Sequence, residues 1–314
     1  MRLETVWVYG VGGVGGYFGG KIALSAVASQ SLATKVFFIA RGRHLEEIQK
    51  EGLILNTSQR SGLICRPERA TEDVRDLPAP DLCLMCVKSY DLDGAVSRLA
   101  EKMHDETVVL PLLNGVDIYE RVRRILHKGV VLPACVYVGT HIEEPGVVTQ
   151  RGGDGIILCG ADPERRLLDY TPLIGFFARA GIRFEWRADP YKAIWEKYIF
   201  IASFSLVTAC FGKTLGEVHN DAGLRETVRA IMSEIELLAR KKGIDLPADV
   251  VDSSLAKAGN FPFETKTSFQ RDVEGKGSVN EGDLFGGTII RTGKALGIDT
   301  PATCDVYAQL QKAS

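Results

Sequence analysis

Apolar residues follow two different rhythms along this 314-residue chain, and the change of rhythm falls near residue 188. In the first stretch, short continuous apolar runs alternate with segments of helical spacing. Such runs, bounded by turn formers, read as strands buried on both faces, and their alternation with helices predicts a parallel sheet. The runs are Val6–Tyr9, Lys35–Ala40, Leu82–Val87, Val108–Leu112, Val130–Val138 and Arg183–Trp186. Val147–Thr149 and Ile156–Cys159 are shorter. Their connectors, Glu144-Pro145-Gly146 and Gly152-Gly153, predict an antiparallel extension of the same sheet.

From Asp189 the spacing becomes helical throughout. Asp189 is a good N-cap and Pro190 a good first helical residue, which predicts a helix from there to Cys210, stopped by Gly212. Asn220 or Asp221 opens a second helix that runs through Lys242 and closes at Gly243. Leu224, Val228, Ile231, Ile235 and Leu238 mark its apolar face. Further helices are expected over Ala248–Ala258, Thr267–Val273 and Asn280–Leu296, with Gly297 and Pro301 as punctuation. The expected fold is therefore α/β: an N-terminal Rossmann-type doubly wound sheet over residues 1–188 and an all-helical C-terminal domain over 189–314.

The first strand runs straight into Gly10-x-Gly12-x-x-Gly15, with helix-compatible sequence after it. In a strand–turn–helix context the first glycine permits the tight turn, the second lets backbone approach a pyrophosphate, and the third lets helix pack on strand. The free N–H groups of the new helix then face the phosphates. Gly10, Gly12, Gly13 and Gly15 are the cofactor-binding candidates. The second strand ends in Arg41-Gly42-Arg43 with no acidic residue beside it. An acid there would accept from a ribose 2′-OH, whereas an arginine accommodates a 2′-phosphate, so NADP(H) is favoured and Arg41 is its reader. The separation from Gly15 to Arg41 exceeds the usual ~20 residues, which assigns Ala26–Thr34 to an extended helix or the loop after it. Arg41 taken alone also reads as a solvated surface charge.

Bulk properties narrow the class. With 45% hydrophobic and 25% charged residues and a formal net charge of −2, neither nucleic acid nor an anionic membrane is the expected partner. The opening MRLETVWVYG carries no signal-peptide pattern, and the longest apolar run, Tyr198–Phe211, has fourteen residues, too few to span a bilayer; a cytoplasmic enzyme is expected. Seven cysteines in apolar contexts suit a reducing compartment. Cys83 and Cys86 form a C-x-x-C, but within a strand pattern, where both read as small core residues rather than a redox pair. Histidines and cysteines lack metal-ligand spacing, so no metal is expected.

Several residues are placed for chemistry. Lys88 and Asn114 follow the third and fourth strands at their carboxyl ends, where doubly wound folds bind ligands. Each has a plainer reading, as a solvated charge and as half of an Asn-Gly turn. Lys197 sits at the edge of the apolar stretch of the first C-terminal helix, where partial desolvation disfavours its charged form and suits proton donation. It can equally snorkel its ammonium into water. Residues 197, 201 and 205 share one helical face. His141 is the best placed rival acid, although an unpaired histidine more often caps or packs.

Taken in order, Gly10–Gly15, Lys88, Leu113-Asn114-Gly115, Trp195-x-Lys197, Ser268 with Asp272, and Glu281 in Asn280-Glu281-Gly282-Asp283 resemble the ketopantoate reductase (2-dehydropantoate 2-reductase) family over essentially the whole chain. The resemblance implies NADPH-dependent reduction of 2-dehydropantoate to pantoate, in the pantothenate branch leading to coenzyme A. It implies that Lys197 donates the proton, with Glu281 its partner. Asn114 would position substrate and nicotinamide, Ser268 would bind substrate, Lys88 would line the cofactor cleft and Arg41 would hold the 2′-phosphate. Where the family carries asparagines one and two turns after the lysine, this chain has Ile201 and Ser205, which leaves Ser205 as the polar substrate contact. Isoleucine cannot hydrogen-bond a hydroxyl, so a related 2-oxo acid stays open as substrate. A non-catalytic NADP-binding protein stays open as well, since fold does not fix function. The partner expected is a small 2-keto acid, and the apolar faces of the helical region point to a homodimer.

Overall fold

The computed structural model describes residues 3–28, 34–165, 169–275 and 280–313. Two compact units divide the chain: Met1–Leu113 with Ile118–Pro190, and Asn114–Asp117 with Tyr191–Ser314. The first unit begins with β1 (Thr5–Tyr9), α1 (Gly13–Ala28), β2 (Lys35–Ile39), α2 (Gly42–Glu51) and β3 (Leu53–Asn56). It continues with β4 (Leu63–Cys65), β5 (Arg69–Thr71), β6 (Leu82–Met85), α3 (Leu92–Lys102), β7 (Val108–Pro111) and α4 (Ile118–Arg123). The last elements are β8 (Val130–Val131), β9 (Ala134–Glu144), β10 (Val147–Cys159), α5 (Thr171–Arg179) and β11 (Arg183–Trp186).

Six strands make a wholly parallel sheet in the order β5-β2-β1-β6-β7-β8. Renumbered within the sheet this is 3-2-1-4-5-6, the doubly wound arrangement that reverses direction between β1 and β6. Its central strands are almost continuously apolar because both faces are covered: Val6, Trp7, Val8 and all of Leu82–Met85 are 0% exposed.

The antiparallel pieces do not extend this sheet, contrary to the sequence expectation. They lie in a second, mixed five-stranded sheet, β11-β10-β3-β4 with β9 antiparallel to β10, which also takes Arg183–Trp186, expected in the first sheet, as a strand parallel to β10. The reason lies in α1, which packs against both. A Cβ on Gly19 would lie 2.9 Å from Val8 of the first sheet, whereas one on Gly16 would lie 2.6 Å from Val148 of the second. Glycines on two faces of one helix let both sheets approach its backbone, so the helix is buried nearly all round.

Three further readings are corrected. Val130–Val138 is two strands, because Pro133 cannot donate to a ladder; β8 ends before it on the edge of the first sheet and β9 begins after it in the second. Val147–Thr149 and Ile156–Cys159 belong to one strand, β10, whose register shifts between Gln150 and Ile156 take up the intervening glycines. The short strands β3, β4 and β5 were not anticipated: three or four residues are too few for a period to register. As for Ala26–Thr34, α1 runs to Ala28, and residues 29–33 lie outside those described.

The second unit is helical. It comprises α6 (Pro190–Phe211), α7 (Leu215–Asn220), α8 (Ala222–Lys241), α9 (Val250–Lys257) and α10 (Ser268–Glu274), then a π turn (Asp283–Gly287) leading into α11 (Thr288–Leu296), and α12 (Pro301–Ala313). Asp221 caps α8 by accepting from the Leu224 N–H at 2.9 Å, and Gly297 closes α11 in the left-handed conformation. α7 was missed, although Thr214-x-x-Glu217 is a capping box and both of its reciprocal bonds are made. The 22-residue α6 is by length and composition long and apolar enough to cross a membrane, longer than the fourteen-residue run read from the sequence; 61% of its apolar window is buried inside the protein.

Candidate functional site

In the first unit the glycine loop leaves the carboxyl end of β1 with β2 on one side and β6 on the other. The Gly10 N–H donates to the Ile39 carbonyl at 2.9 Å, and the Cys86 N–H donates to the Tyr9 carbonyl at 2.7 Å. Gly10 has φ +92°, and a Cβ there would stand 2.8 Å from the Cys86 backbone. A Cβ on Gly15 would stand 1.9 Å from the Gly10 carbonyl oxygen, so no larger residue fits the loop-to-helix step. Gly12 differs: nothing lies within 4 Å of its missing Cβ. Two glycines thus serve the protein's own packing, while Gly12 leaves open space at the head of α1. Gly13 is the first residue of α1, and a Cβ on it would stand 2.8 Å from the Thr140 carbonyl oxygen. These residues fit a dinucleotide pyrophosphate, with an unobstructed approach at Gly12 and the unsatisfied N–H groups of a 16-residue helix behind it.

Arg41 stands at the N-terminal boundary of α2 and is exposed. It is not alone there. Its guanidinium forks onto Asp91, with Nη2 at 2.6 Å from Oδ2 and Nη1 at 3.3 Å from Oδ1. Asp91 closes the 3-10 turn Ser89–Asp91, which follows Lys88 beyond β6. Lys88 is half-buried, and its carbonyl accepts from the Asp91 N–H at 3.0 Å. The Arg98 Nε donates to the Tyr9 hydroxyl at 2.7 Å at the same end of the sheet. Burial is the main cause that raises the Tyr9 phenol above its ordinary value, with Arg98 acting the other way. Sequence reading missed Asp91 because it lies 50 positions from Arg41 and on a different strand's exit. The nearby thiols are inert: burial pushes Cys83 and Cys86 well above the ordinary thiol value, the reverse of a redox pair. His141 stands on β9 opposite Thr149 of β10.

In the second unit, two of the sequence-selected residues meet. The Lys197 ammonium donates to Asn114 Oδ1 at 2.8 Å, although 83 positions separate them. Both are half-buried. Asn114 is also the turn residue its Asn-Gly pair suggested, since Gly115 follows at φ +125°. The turn is tied down at its far end, where the Thr288 hydroxyl, at the head of α11, donates to Asp117 at 3.2 Å. One residue after Lys197, the buried Tyr198 hydroxyl donates to the Leu284 carbonyl at 2.8 Å, with the Phe285 carbonyl at 3.0 Å sharing the proton. Both carbonyls belong to the π turn, which begins two residues after Glu281. Arg291 pairs with Asp283 at the start of that turn. Tyr198 gave no sequence signal beyond a buried aromatic; its role depends on where the π turn lies.

The remaining candidates are placed less alike. Glu281 is buried at 6% exposure, and its carbonyl accepts from the Leu284 N–H at 3.0 Å. Ser205, two turns along α6 from Lys197, is buried at 3%, whereas Ile201 between them is half-buried. Ser268 is exposed at the first position of α10, whose N-cap is Thr267. Asp272 is half-buried on the same helix.

Comparison with known proteins covers nearly the whole chain. Residues 6–164 match the family model described as Ketopantoate reductase PanE/ApbA, and residues 189–314 match the one described as Ketopantoate reductase PanE/ApbA C terminal. An uncharacterized oxidoreductase, YkpB of Bacillus subtilis (strain 168), is 27% identical over 306 residues, 97% of each chain. A 2-dehydropantoate 2-reductase of Mesorhizobium japonicum is 27% identical over 98% of this chain and 97% of its own. Among solved structures, a PanE/ApbA family ketopantoate reductase from Ralstonia eutropha JMP134 superposes with TM-score 0.86 at 29% identity, covering 98% of this chain and 97% of that one.

Proposed function

The chain belongs to the ketopantoate reductase family, and on that premise we propose that it reduces 2-dehydropantoate to pantoate with NADPH, in the branch that supplies pantothenate for coenzyme A. It is an oxidoreductase of that family; the substrate, the cofactor and the roles of individual residues are the proposal. The observation that carries it is the 2.8 Å hydrogen bond between Lys197 and Asn114.

NADPH, when bound, supplies the hydride that adds to the ketone carbon. As the C=O double bond becomes single, negative charge builds on the ketone oxygen. Lys197 stabilises that charge with its ammonium and then transfers a proton to the oxygen, which completes the alcohol. Asn114 holds the ammonium in one orientation through its side-chain carbonyl. Glu281, buried beside the π turn, is in this proposal the carboxylate that keeps Lys197 charged. Ser268 and Ser205 are the substrate-binding hydroxyls of the proposal. Gly10, Gly12, Gly13 and Gly15 build the loop that holds the pyrophosphate, Gly10 and Gly15 by letting it close and Gly12 by leaving the approach open, while Lys88 lines the cofactor cleft and Arg41 reads the ribose phosphate.

Ile201 favours a second reading within the same chemistry. A hydrocarbon one turn from Lys197 offers no partner to a substrate hydroxyl, so a 2-oxo acid lacking that group becomes a competitor. The experiment is NADPH oxidation with 2-dehydropantoate beside a panel of branched 2-oxo acids without the hydroxyl. The expected result is the highest kcat/KM with 2-dehydropantoate. Equal kcat/KM across the panel would exclude a dedicated ketopantoate reductase, and no oxidation of either NADPH or NADH with any member would exclude the reaction class.

A further inference from the structure

We propose that Asp91 sets the cofactor preference of this protein, holding down discrimination for NADPH by occupying the arginine that would read its 2′-phosphate. The inference rests on the dinucleotide reading of the glycine loop and deepens it.

The geometry is specific. β1 lies between β2 and β6 in the sheet, and Arg41 and Asp91 come from the exits of those two flanking strands. The Arg41–Asp91 pair therefore reaches across the carboxyl end of β1, where the glycine loop begins. The contact is a two-pronged fork at 2.6 and 3.3 Å, the geometry that a guanidinium would otherwise offer a phosphate. Asp91 stands at the N-cap of α3 yet makes no capping bond with its side chain, so its carboxylate is directed at Arg41. A second guanidinium, Arg98, feels the same carboxylate and stays hydrogen-bonded to Tyr9.

An exposed ion pair of this kind contributes little stability and opens readily. Arg41 is 65% exposed and Asp91 30%. Opening the pair does not remove the carboxylate, which stays tethered to the turn after β6. A 2′-phosphate arriving at Arg41 meets a like charge beside it, while a ribose 2′-OH meets a hydrogen-bond acceptor. One residue thus penalises NADPH and favours NADH. This acid enters the subsite from the exit of β6, not from that of β2, where a sequence reading looks for it.

The test is direct binding, which needs no turnover: titration of wild type, Asp91→Asn and Asp91→Ala with NADPH and with NADH, followed by nicotinamide fluorescence at fixed salt. Both variants are expected to raise the ratio Kd(NADH)/Kd(NADPH) by about tenfold, the effect of removing one nearby like charge at a partly exposed site. Because each variant is measured against both cofactors, a general loss of folding cancels in the ratio. An unchanged ratio, with both affinities shifting together or not at all, overturns the inference and leaves the dinucleotide reading standing. Failure of wild type to bind either cofactor overturns both.

Discussion

Lys197 and Asn114 show how a plain feature and a chemical one coexist in a single residue. Asn114 forms the turn that any Asn-Gly pair suggests, and its side chain also receives the Lys197 ammonium. A lysine that merely snorkelled would leave its charge in water; this one is half-buried and spends a proton on an amide carbonyl. If it is the proton donor, Lys197→Ala should lower kcat by about 10²–10⁴-fold, the usual worth of a positioned acid, while the Kd for NADPH stays unchanged. Stopped-flow turnover beside a fluorescence titration separates the two quantities, and wild-type turnover in the variant would remove Lys197 from the mechanism. Lysine, asparagine and the glycines were legible because each has a side-chain chemistry or a conformational freedom with few substitutes. Asp91 was not, since an aspartate after a strand is ordinary until an arginine is found opposite it.

At the scale of elements, helices were read more reliably than strands. Caps carry chemistry: Asp221 and Gly297 end their helices as their residue types require. The strands β3, β4 and β5 carry no such mark, and Pro133 was overlooked as the break between β8 and β9. The π turn lay beyond sequence reading because its Gly286-Gly287 pair marks a weak point in a helix without saying how the backbone bonds rearrange there. Its widened backbone is held by Tyr198 through the Leu284 and Phe285 carbonyls. Tyr198→Phe removes that donor and keeps the ring. It should cost about 1–3 kcal/mol, the penalty for leaving a buried polar group unpaired, and should lower Tm by several degrees in a thermal melt. An unchanged Tm would mean that the π turn supports itself.

For the whole molecule, composition and packing meet in the cysteines. All seven are free; Cys65, Cys83, Cys135 and Cys159 are buried, Cys86 and Cys210 are partly buried and Cys304 is exposed. Burial pushes the Cys65 thiol up to about 12 and Cys159 higher still, which suppresses the reactive thiolate. An aromatic disulfide reagent should therefore label Cys304 first in the native protein and reach the four buried thiols only on unfolding, with mass mapping to identify the sites. Rapid native labelling of Cys83 would contradict the packing of β6. The sequence by itself determined the apolar strand runs, the glycine step after β1, the helical change near Asp189 and the family resemblance, because each is written in residue types and their order along the chain. Only the tertiary structure decided the strand order, the second sheet across α1, the Lys197–Asn114 contact and the carboxylate on Arg41. Those depend on which strand exits become neighbours, and that is settled by packing between residues tens of positions apart, which local periodicity does not record.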